Sequence, residues 1–337
     1  MLINCTTFFL KCNCFWLTIF DLISCVRIVR MSIHIVFMGS PDFALPVLQN
    51  LARNYQVVGV VTQPDRPAGR GRILTPPPVK ELAISLNIPV IQPNRLKEPE
   101  AFAQLQAWQP DLIVVAAFGQ ILRKNVLDLP PLGCVNVHAS LLPRWRGAAP
   151  VQAAIIAGDA ATGITIMKMD AGIDIGPILA QHAVPILAED TGETLGQRLA
   201  EVGGELLMMT LPGYLSGEIK PCNQDNNLAT YAAMLKKEDG ELDFNLPAEI
   251  LERKVRAFYP WPGTYMQWGN ETLKILSAHV VNDKDAFPHN RGVSAAKPAV
   301  GTSSGWLVFD DVQPAGKRVM PGEVFLHGAR AWLSQSQ

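Results

Sequence analysis

The feature that most constrains the fold is a series of short apolar runs separated by segments with the punctuation of helices and turns. The runs VVGVVT (57–62) and DLIVVAAFG (111–119) are apolar except at one end, Thr62 and Asp111, and do not alternate. Such runs are typical of parallel strands covered on both faces, because a strand with one face in water alternates apolar and polar residues. Strands are predicted in IHIVFM (33–38), VVGVVT, IPVIQ (88–92), DLIVVAAFG and CVNVH (134–138).

Helical segments lie between these runs. A helix is predicted to open at Pro41 and to run to Leu51, because proline is favoured in the first turn of a helix. Further helices are predicted near 79–86, 99–107 and 193–215. The alternation of strands and helices therefore predicts an α/β fold in which helices cover a parallel sheet.

Composition limits the class of protein. The chain has 337 residues, of which 48% are hydrophobic, and its formal net charge is -1. This length predicts about two domains, and the balanced charge means that a nucleic-acid partner would be held by a local basic patch. After residue 30 the only cysteines are Cys134 and Cys222. Two scattered cysteines make no disulfide framework, which favours a reducing compartment and predicts a cytoplasmic protein, with an organelle as the alternative.

The first thirty residues are apolar but lack a structural period. Lys11 and Asp21 interrupt every run long enough to suggest a membrane span, and neither a basic start nor a small-residue cleavage site is present. A clear strand begins only after Met31. Residues 1–30 are therefore interpreted as a non-structural extension, and no membrane partner is expected. An organelle-targeting segment or a membrane anchor is the alternative.

Two polar residues end the CVNVH strand. Gly39 follows the first strand without completing GxGxxG, so a glycine fingerprint for a nucleotide is absent, but open α/β sheets bind ligands at the carboxyl ends of their strands. Asn136 and His138 are two residues apart and share a face at such an end. An amide and an imidazole side by side can both donate to a developing oxyanion, as acyl transfer requires. The alternative is a polar strand end that only caps a loop.

A carboxylate near His138 would strengthen the catalytic interpretation, because it would orient the ring. The segment GITIMKMDAGIDIGPIL (163–179) offers Asp170 and Asp174 among glycines, after a strand predicted to end at Met169. Both acids could equally be loop or cap residues. The pattern alone does not choose between them.

The segment 62–80 is rich in proline, glycine and positive charge. It carries Arg66, Arg70, Arg72 and Lys80 against Asp65 alone. Arginines on such a loop can pair with phosphates and stack on the unpaired bases of an RNA end. A solvated surface loop is the alternative. No metal site is expected from the sequence. The six histidines are dispersed, and no further Cys or His lies at a chelating spacing from Cys134 and His138.

Taken together, the runs FMGSPDFA (37–44), TQPDRPAGRGR (62–72), NVHASLLPRWRGAAPVQAAI (136–155), TGITIMKMDAGIDIGPIL (162–179) and RAFYPWPGTY (256–265), with QPAGKR (313–318), resemble the 10-formyltetrahydrofolate-dependent formyltransferases. The resemblance extends from Met31 to the end of the chain. It implies a Rossmann-like, doubly wound, mostly parallel sheet with the formyltransferase fold, followed by a C-terminal OB-like β-barrel. It also implies 10-formyltetrahydrofolate as formyl donor and initiator methionyl-tRNA as acceptor, bound by a monomer without metal.

The resemblance also assigns roles to residues. The catalytic trio of the family falls on Asn136, His138 and Asp174. Its folate-binding loop falls on Ser140, Leu141, Leu142 and Pro143. The arginine-bearing loop for the tRNA acceptor end falls on Arg66, Arg70 and Arg72, of which Arg70 is the best single match.

The remaining boundaries follow from composition. A catalytic domain is expected over 31–220, a polar linker over 221–235 and the C-terminal domain over 236–337. In that last domain LDFNL (242–246), YMQWG, TLKILSAHV and GWLVFDDVQ are predicted as strands around a helix near 248–256, and 282–304 as a long loop. From Lys236 onward twelve Lys plus Arg balance twelve Asp plus Glu, so tRNA binding there needs an asymmetric basic face. The expected members of that face are Lys236, Lys237, Arg253, Lys254, Arg256, Lys317 and Arg318.

Three functions of different classes remain open at this point. The first is formyl transfer to methionyl-tRNA. The second is the same chemistry on a small amine such as an amino sugar or a ribonucleotide amine, and the third is RNA binding without catalysis. The arginine loop favours the first over the second, and the intact trio argues against the third.

Overall fold

The computed structural model of the chain describes residues 33–68, 71, 73–283, 285–329 and 331–333. The predicted extension 1–30 and the residues Arg70 and Arg72 lie outside this described part. No helix within it is both long and apolar enough to cross a membrane.

The first domain is built on a seven-stranded sheet with the order β10-β9-β7-β6-β1-β2-β5. The five strands β7, β6, β1, β2 and β5 are parallel to one another. Strand β9 pairs antiparallel with both β7 and β10. The strands are β1 (His34–Gly39), β2 (Gln56–Val61), β5 (Val90–Ile91), β6 (Leu112–Ala116), β7 (Cys134–His138), β9 (Ala161–Lys168) and β10 (Ile178–Pro185). The prediction of a mostly parallel sheet is confirmed.

Each face of this sheet has its own apolar core. Ile35 and Phe37 of β1 lie in one core, and the alternate residues Val36 and Met38 lie in the other. Because successive strand residues point to opposite faces, the unbroken apolar runs are explained by this double cover. The helices of the domain are α1 (Leu45–Asn54), α2 (Pro78–Ser85), α3 (Pro99–Ala107), α4 (Lys124–Leu127), α5 (Pro150–Ala157) and α6 (Gly192–Leu215).

Two small ladders lie outside the large sheet. Strands β3 (Arg66–Ala68) and β4 (Ile73–Thr75) form an antiparallel hairpin inside the segment predicted as an irregular loop. Strand β8 (Arg146–Gly147) pairs in parallel with β11 (Tyr231–Ala232), which comes from the predicted linker. The second ladder ties the chain that leaves the first domain back onto it.

The second domain is an antiparallel β-domain with the path β12-β13-β16-β15-β14, to which β17 adds beside β16. This confirms the expected C-terminal β-domain. Its elements are α7 (Ala248–Ala257), β12 (Thr264–Trp268), β13 (Glu271–Val281), β14 (Arg291–Ser294), β15 (Lys297–Gly301), β16 (Trp306–Pro314), β17 (Met320–Pro321) and α8 (Gly322–Gly328).

Two local predictions in the second domain are wrong. The segment 282–304 is not a loop throughout, because it contains the hairpin β14–β15, which gains its place by pairing with β16. Such pairing partners are distant in sequence and leave little pattern in a four- or five-residue strand. The stretch 242–246 is not a strand but a turn, in which the Asp243 carboxylate accepts the backbone N–H of Asn245 at 3.0 Å.

Candidate active site

The predicted polar pair lies at the carboxyl end of β7, between β6 and β9. Asn136 and His138 are buried, with 8% and 6% of their surfaces exposed. Asn136 pairs with Met167 of β9, and His138 pairs with Thr165. A buried amide and a buried imidazole at a strand end require partners, and the neighbouring loops supply them.

Asp174 reaches both side chains. The Asn136 amide donates to Asp174 Oδ1 at 3.4 Å, and His138 Nδ1 lies 3.6 Å from Asp174 Oδ2. Asp170 is exposed, and its carboxylate accepts the N–H of the next residue, Ala171, at 2.6 Å. The structure therefore brings Asp174, and not Asp170, to the imidazole.

The backbone around Asp174 explains why glycines flank it. Asp174 itself has a φ of 52°, in the left-handed region that residues other than glycine adopt infrequently. At Gly176 an added Cβ would overlap with the carbonyl oxygen of Lys168. The glycine lets the loop return against the end of β9, and this return directs Asp174 toward β7.

The imidazole of His138 is fixed from its other side. Its Nε2 lies 3.0 Å from the carbonyl oxygen of Trp145. A carbonyl only accepts, so Nε2 donates in this contact. Trp145 is held in turn, since its N–H donates to Thr230 Oγ1 at 2.9 Å and its indole donates to Asp159 at 2.8 Å.

Gly147 supplies a further donor to the site. Its N–H donates to Asp174 Oδ2 at 2.9 Å. Gly147 has a φ of 111°, and an added Cβ would overlap with the carbonyl oxygen of Ala232 in the paired strand. A glycine is therefore required both by the backbone conformation and by the close approach of β11.

The predicted folate-binding loop follows β7 directly. Ser140 is buried and donates through Oγ to the carbonyl of Arg144 at 2.6 Å. The N–H of Leu142 donates to Thr165 Oγ1 at 3.0 Å, and its carbonyl accepts from the Gln181 amide at 2.8 Å. The Leu142–Pro143 peptide bond is cis, and Leu141 is half-buried beside it. The loop is thus an ordered rim next to His138, and its role in folate binding stays a prediction.

The basic segment has fewer available cations than its composition suggests. Arg66 is exposed on β3, but Lys80 forms an ion pair with Asp65 at 2.7 Å. The Asp65 carboxylate also accepts from the Gln92 amide at 2.7 Å. These hydrogen bonds, from Gln92 and then Lys80, lower the pKa of Asp65. Lys80 therefore anchors the base of the hairpin and is not an available contact for phosphate.

The predicted basic face of the second domain is also reduced. Arg256 donates to the carbonyl of Asp190 in the first domain at 2.8 Å and pairs with Glu252. Lys254 donates to the carbonyl of Glu241 at 2.8 Å, and burial lowers its pKa. Arg256 therefore contacts the first domain, and Lys254 lines a cavity together with Trp145 and Gln152 of that domain. Lys236, Lys237, Lys317 and Arg318 are exposed.

Two residues that the sequence analysis missed lie behind the site. Arg146, only 2% exposed, donates from Nε and Nη2 to Gln224 Oε1 at 3.0 and 2.8 Å, and from Nη2 to Asn226 Oδ1 at 2.8 Å. Gln224 donates in turn to the carbonyls of Asp174 and Gly176. The sequence indicates the role of these two residues only weakly. Arg146 lies eight residues after His138 in the long run that resembles the family, and Gln224 lies in the segment predicted as a linker.

Other chemistries find little support near β7. Burial raises the pKa of the Cys134 thiol to about 12, so at neutral pH it carries almost no nucleophilic thiolate. Within the described residues no group of three or more His, Cys, Asp or Glu side chains is placed to hold a metal ion. The arrangement at β7 instead offers an amide donor, an imidazole and a carboxylate around one buried edge, which suits acyl transfer.

Comparison with known proteins defines the class of this site. The formyl transferase family matches residues 31–211, and the family of formyl transferase C-terminal domains matches residues 234–330. The chain therefore belongs to the formyl transferase family.

The relatives narrow this assignment. Methionyl-tRNA formyltransferase of Roseiflexus sp. (strain RS-1) is 48% identical over 304 residues, 89% of this chain and 94% of the relative. The enzyme of the same name from Chloroflexus aggregans is 49% identical over 302 residues, with 88% and 98% covered. Within the family the chain thus groups with the methionyl-tRNA formyltransferases. The fold is also that of an N-formyltransferase from Helicobacter canadensis, solved with folinic acid and dTDP-3-aminofucose (TM-score 0.60, 16% identity, 82% and 99% covered).

Proposed function

We propose that the chain transfers the formyl group of 10-formyltetrahydrofolate to the α-amino group of initiator methionyl-tRNA. The observation that carries this proposal is the group formed by Asn136, His138 and Asp174 at the end of β7, in a chain whose relatives over nearly their full length carry that name. Transfer of a formyl group to this amine makes N-formylmethionyl-tRNA for translation initiation.

The chemistry makes modest demands on the protein. The α-amino group of an aminoacyl ester has a pKa near or below the ~7.7 to 8.0 of a free α-amine, so a useful fraction of it is already nucleophilic at neutral pH. Its lone pair attacks the formyl carbon, and the carbonyl electrons move onto the formyl oxygen. The protein must stabilise that oxyanion and accept the proton that the amine loses.

The described residues fit these two tasks. The Asn136 amide carries two hydrogens, and its contact with Asp174 uses one, so a second is available for the oxyanion. His138 presents its other ring nitrogen, Nδ1, because Nε2 already donates to the Trp145 carbonyl. Asp174 or His138 Nδ1 takes the amine proton through water. Collapse of the intermediate breaks the bond to N10 of the folate, which leaves with a proton as tetrahydrofolate. A donor of this kind typically contributes about 3 to 4 kcal/mol to the barrier.

The acceptor is proposed to approach from the β3–β4 side. Arg66, Arg70 and Arg72 would contact the tRNA acceptor end there, as the family resemblance implies, and Ser140 to Pro143 would contact the folate. Support for the hairpin comes from its exposure, since Arg66, Ile73 and Leu74 all lie in solvent. An exposed arginine with apolar neighbours suits phosphates and unstacked bases.

Formyl transfer to an amino sugar is the second candidate. It is favoured by the likeness of the fold to the Helicobacter canadensis enzyme, which was solved with dTDP-3-aminofucose. The high identity to methionyl-tRNA formyltransferases argues against it. We further propose a cytoplasmic monomer with the domain limits predicted from the sequence.

One assay separates the candidates. The purified chain is incubated with 10-formyltetrahydrofolate and either charged initiator tRNA or free amino sugars, and formylated product is measured. Formylation of methionyl-tRNA alone supports the proposal. Preferential formylation of a sugar amine overturns it, and binding of tRNA without any formyl transfer would identify a non-catalytic RNA-binding protein.

A further inference from the structure

The segment 222–232, which leads from the first domain to the second, contacts the active site at three places. Cys222 exchanges two backbone hydrogen bonds with Ile178, just beyond the Asp174 loop. Gln224 contacts that loop itself. Thr230 and Ala232 accept the backbone N–H groups of Arg146 and Ala148 at 2.8 and 2.9 Å. This segment therefore forms part of the framework that surrounds His138.

Gln224 occupies the central position in this framework. Its Nε2 donates to the carbonyl of Asp174 at 2.8 Å and to the carbonyl of Gly176 at 2.7 Å. Its Oε1 accepts two hydrogen bonds from Arg146. The orientation of the amide is chemically determined, because carbonyls only accept and a guanidinium only donates. Every hydrogen-bonding site of this amide is thus used for one arrangement.

The Asp174 loop needs such support. Asp174 has a φ of 52°, a conformation that costs free energy and persists only where surrounding contacts hold it. Its carboxylate is also the group that must remain near Asn136 and His138. A loop that relaxed toward ordinary backbone angles would move this carboxylate away from the imidazole.

Arg146 makes Gln224 rigid. A buried guanidinium requires hydrogen-bond acceptors, and the Arg146 side chain donates to two neutral side chains, Gln224 and Asn226. The planar fork of arginine fixes the plane of the Gln224 amide. Arg146 is also adjacent in sequence to Gly147, whose N–H donates to Asp174 Oδ2. The neighbouring residues Arg146 and Gly147 therefore both hold Asp174. Arg146 acts on its backbone through Gln224, and Gly147 donates directly to its carboxylate.

We propose that Gln224 is a positioning residue for formyl transfer, which holds the main chain of the Asp174 loop so that the carboxylate faces His138. The inference rests on the proposed function, because it assumes that Asp174 acts in that reaction. It differs from a general stabilising role in that its effect passes through Asp174 alone.

The decisive variant is Gln224→Glu, assayed in the full-length chain with 10-formyltetrahydrofolate and methionyl-tRNA. Glutamate retains the shape and the contact with Arg146, but places an oxygen against the two carbonyls in place of their donor. We expect kcat to fall about thirtyfold to a hundredfold, since a displacement of ~1 Å can cost about a hundredfold. KM for both substrates and the melting temperature should change little. Asn227→Ala is the matched control and should behave as wild type, because among the described residues the Asn227 side chain donates to Asp225 and not to the Asp174 loop.

A double-mutant cycle tests the route of the effect. In an Asp174→Asn background, Gln224→Glu should cost less than about threefold further, because a residue that acts through Asp174 has nothing left to position. A second variant, Gln224→Asn, is too short to span Arg146 and both carbonyls, and should lose about tenfold in kcat with the same dependence on Asp174.

Unchanged kcat in Gln224→Glu overturns the inference, as does a loss of equal size in the presence and absence of the Asp174 carboxylate. Failure of the proposed function is a separate result, since it would be seen in the wild-type protein as absence of methionyl-tRNA formylation. In that event the ratio of variant to wild-type kcat with the accepted amine still decides whether Gln224 positions Asp174.

Discussion

The loops around His138 and the hairpin that carries Arg66 are both rich in glycine and proline, but they are held in different ways. Around His138 the backbone or side chains of Trp145, Gly147, Asp174 and Gln224 are joined by hydrogen bonds of 2.7 to 3.0 Å. The described strands of the hairpin pair with each other, and Ile73 and Leu74 are 73% and 66% exposed. The first region fixes a few atoms, and the second presents an accessible surface. This is the division expected between chemistry and recognition of a large substrate.

The largest effect is expected where the fixed region is disabled. Asp174→Asn keeps the volume and removes the charge beside His138, and we expect turnover to fall by about three orders of magnitude or more, as for loss of an orienting carboxylate elsewhere. Folate affinity should remain. Asp170→Asn is the matched control and should be nearly silent. If Asp170→Asn is damaging and Asp174→Asn mild, the wrong acid has been assigned.

A smaller loss, confined to the acceptor, is expected at Arg70. Arg70→Ala should reduce kcat/KM for methionyl-tRNA by about a hundredfold, because a slightly misplaced amine reacts slowly. Arg70→Lys should restore only part of it, since an ammonium lacks the planar fork of guanidinium. The slow hydrolysis of 10-formyltetrahydrofolate without tRNA provides the control. Equal loss of that reaction would place Arg70 in the folate site or in the fold, and would remove the contrast between the two regions.

The contact at the base of the hairpin should matter less than the arginine itself. Asp65→Asn removes the ion pair with Lys80, and we expect kcat/KM for methionyl-tRNA to fall by about tenfold with kcat nearly unchanged. Because the pKa of Asp65 is lowered in the folded chain, the native contact is complete above the ordinary carboxyl range and is lost only as the pH falls below it. Kinetics at neutral pH therefore compare an intact contact with a broken one. A loss in kcat instead of KM would link the base of the hairpin to the chemistry.

The smallest effect is expected at Arg66. Arg66→Ala should weaken tRNA binding by only a few fold, because an exposed cation gains little from a single phosphate contact. The sharper measurement is the salt dependence, in which the slope of log K against log salt should become shallower by about 0.7 to 0.9, the value for one lost phosphate contact. An unchanged slope would show that Arg66 does not contact the tRNA backbone.

The sequence predicted most reliably what is local. The apolar runs predicted the five parallel strands of the first sheet but not β10, and Asn136 and His138 could be placed on one strand face from their spacing alone. The choice between Asp170 and Asp174 could not be made in this way, because it depends on how the glycine-bearing loop returns against β9. That return is set by the close approach of Gly176 to Lys168.

Predictions about long-range partners were weaker. Lys80 and Arg256 are both predicted as cations available for tRNA. Lys80 instead pairs with Asp65 in the same segment, and Arg256 donates to the Asp190 carbonyl of the first domain. The hairpin β14–β15 was missed because β16 provides its partner. Composition also predicts a polar linker over 221–235 and does not indicate that Gln224 lies against the active site. The residue type is the same whether a polar side chain is hydrated or donates to a buried carbonyl.

The ladder between β8 and β11 bears on how this enzyme could be recombined with its relatives. The match to the first family ends at residue 211, and the match to the second begins at residue 234. These limits suggest two exchangeable units joined by a spacer. The strand that pairs with Gly147 lies in that interval. A chimera joined at the family limits would therefore combine a site from one parent with a supporting strand from another. Successful exchange of the C-terminal domain should require a crossover after residue 232, so that the interval is inherited with the residues it supports.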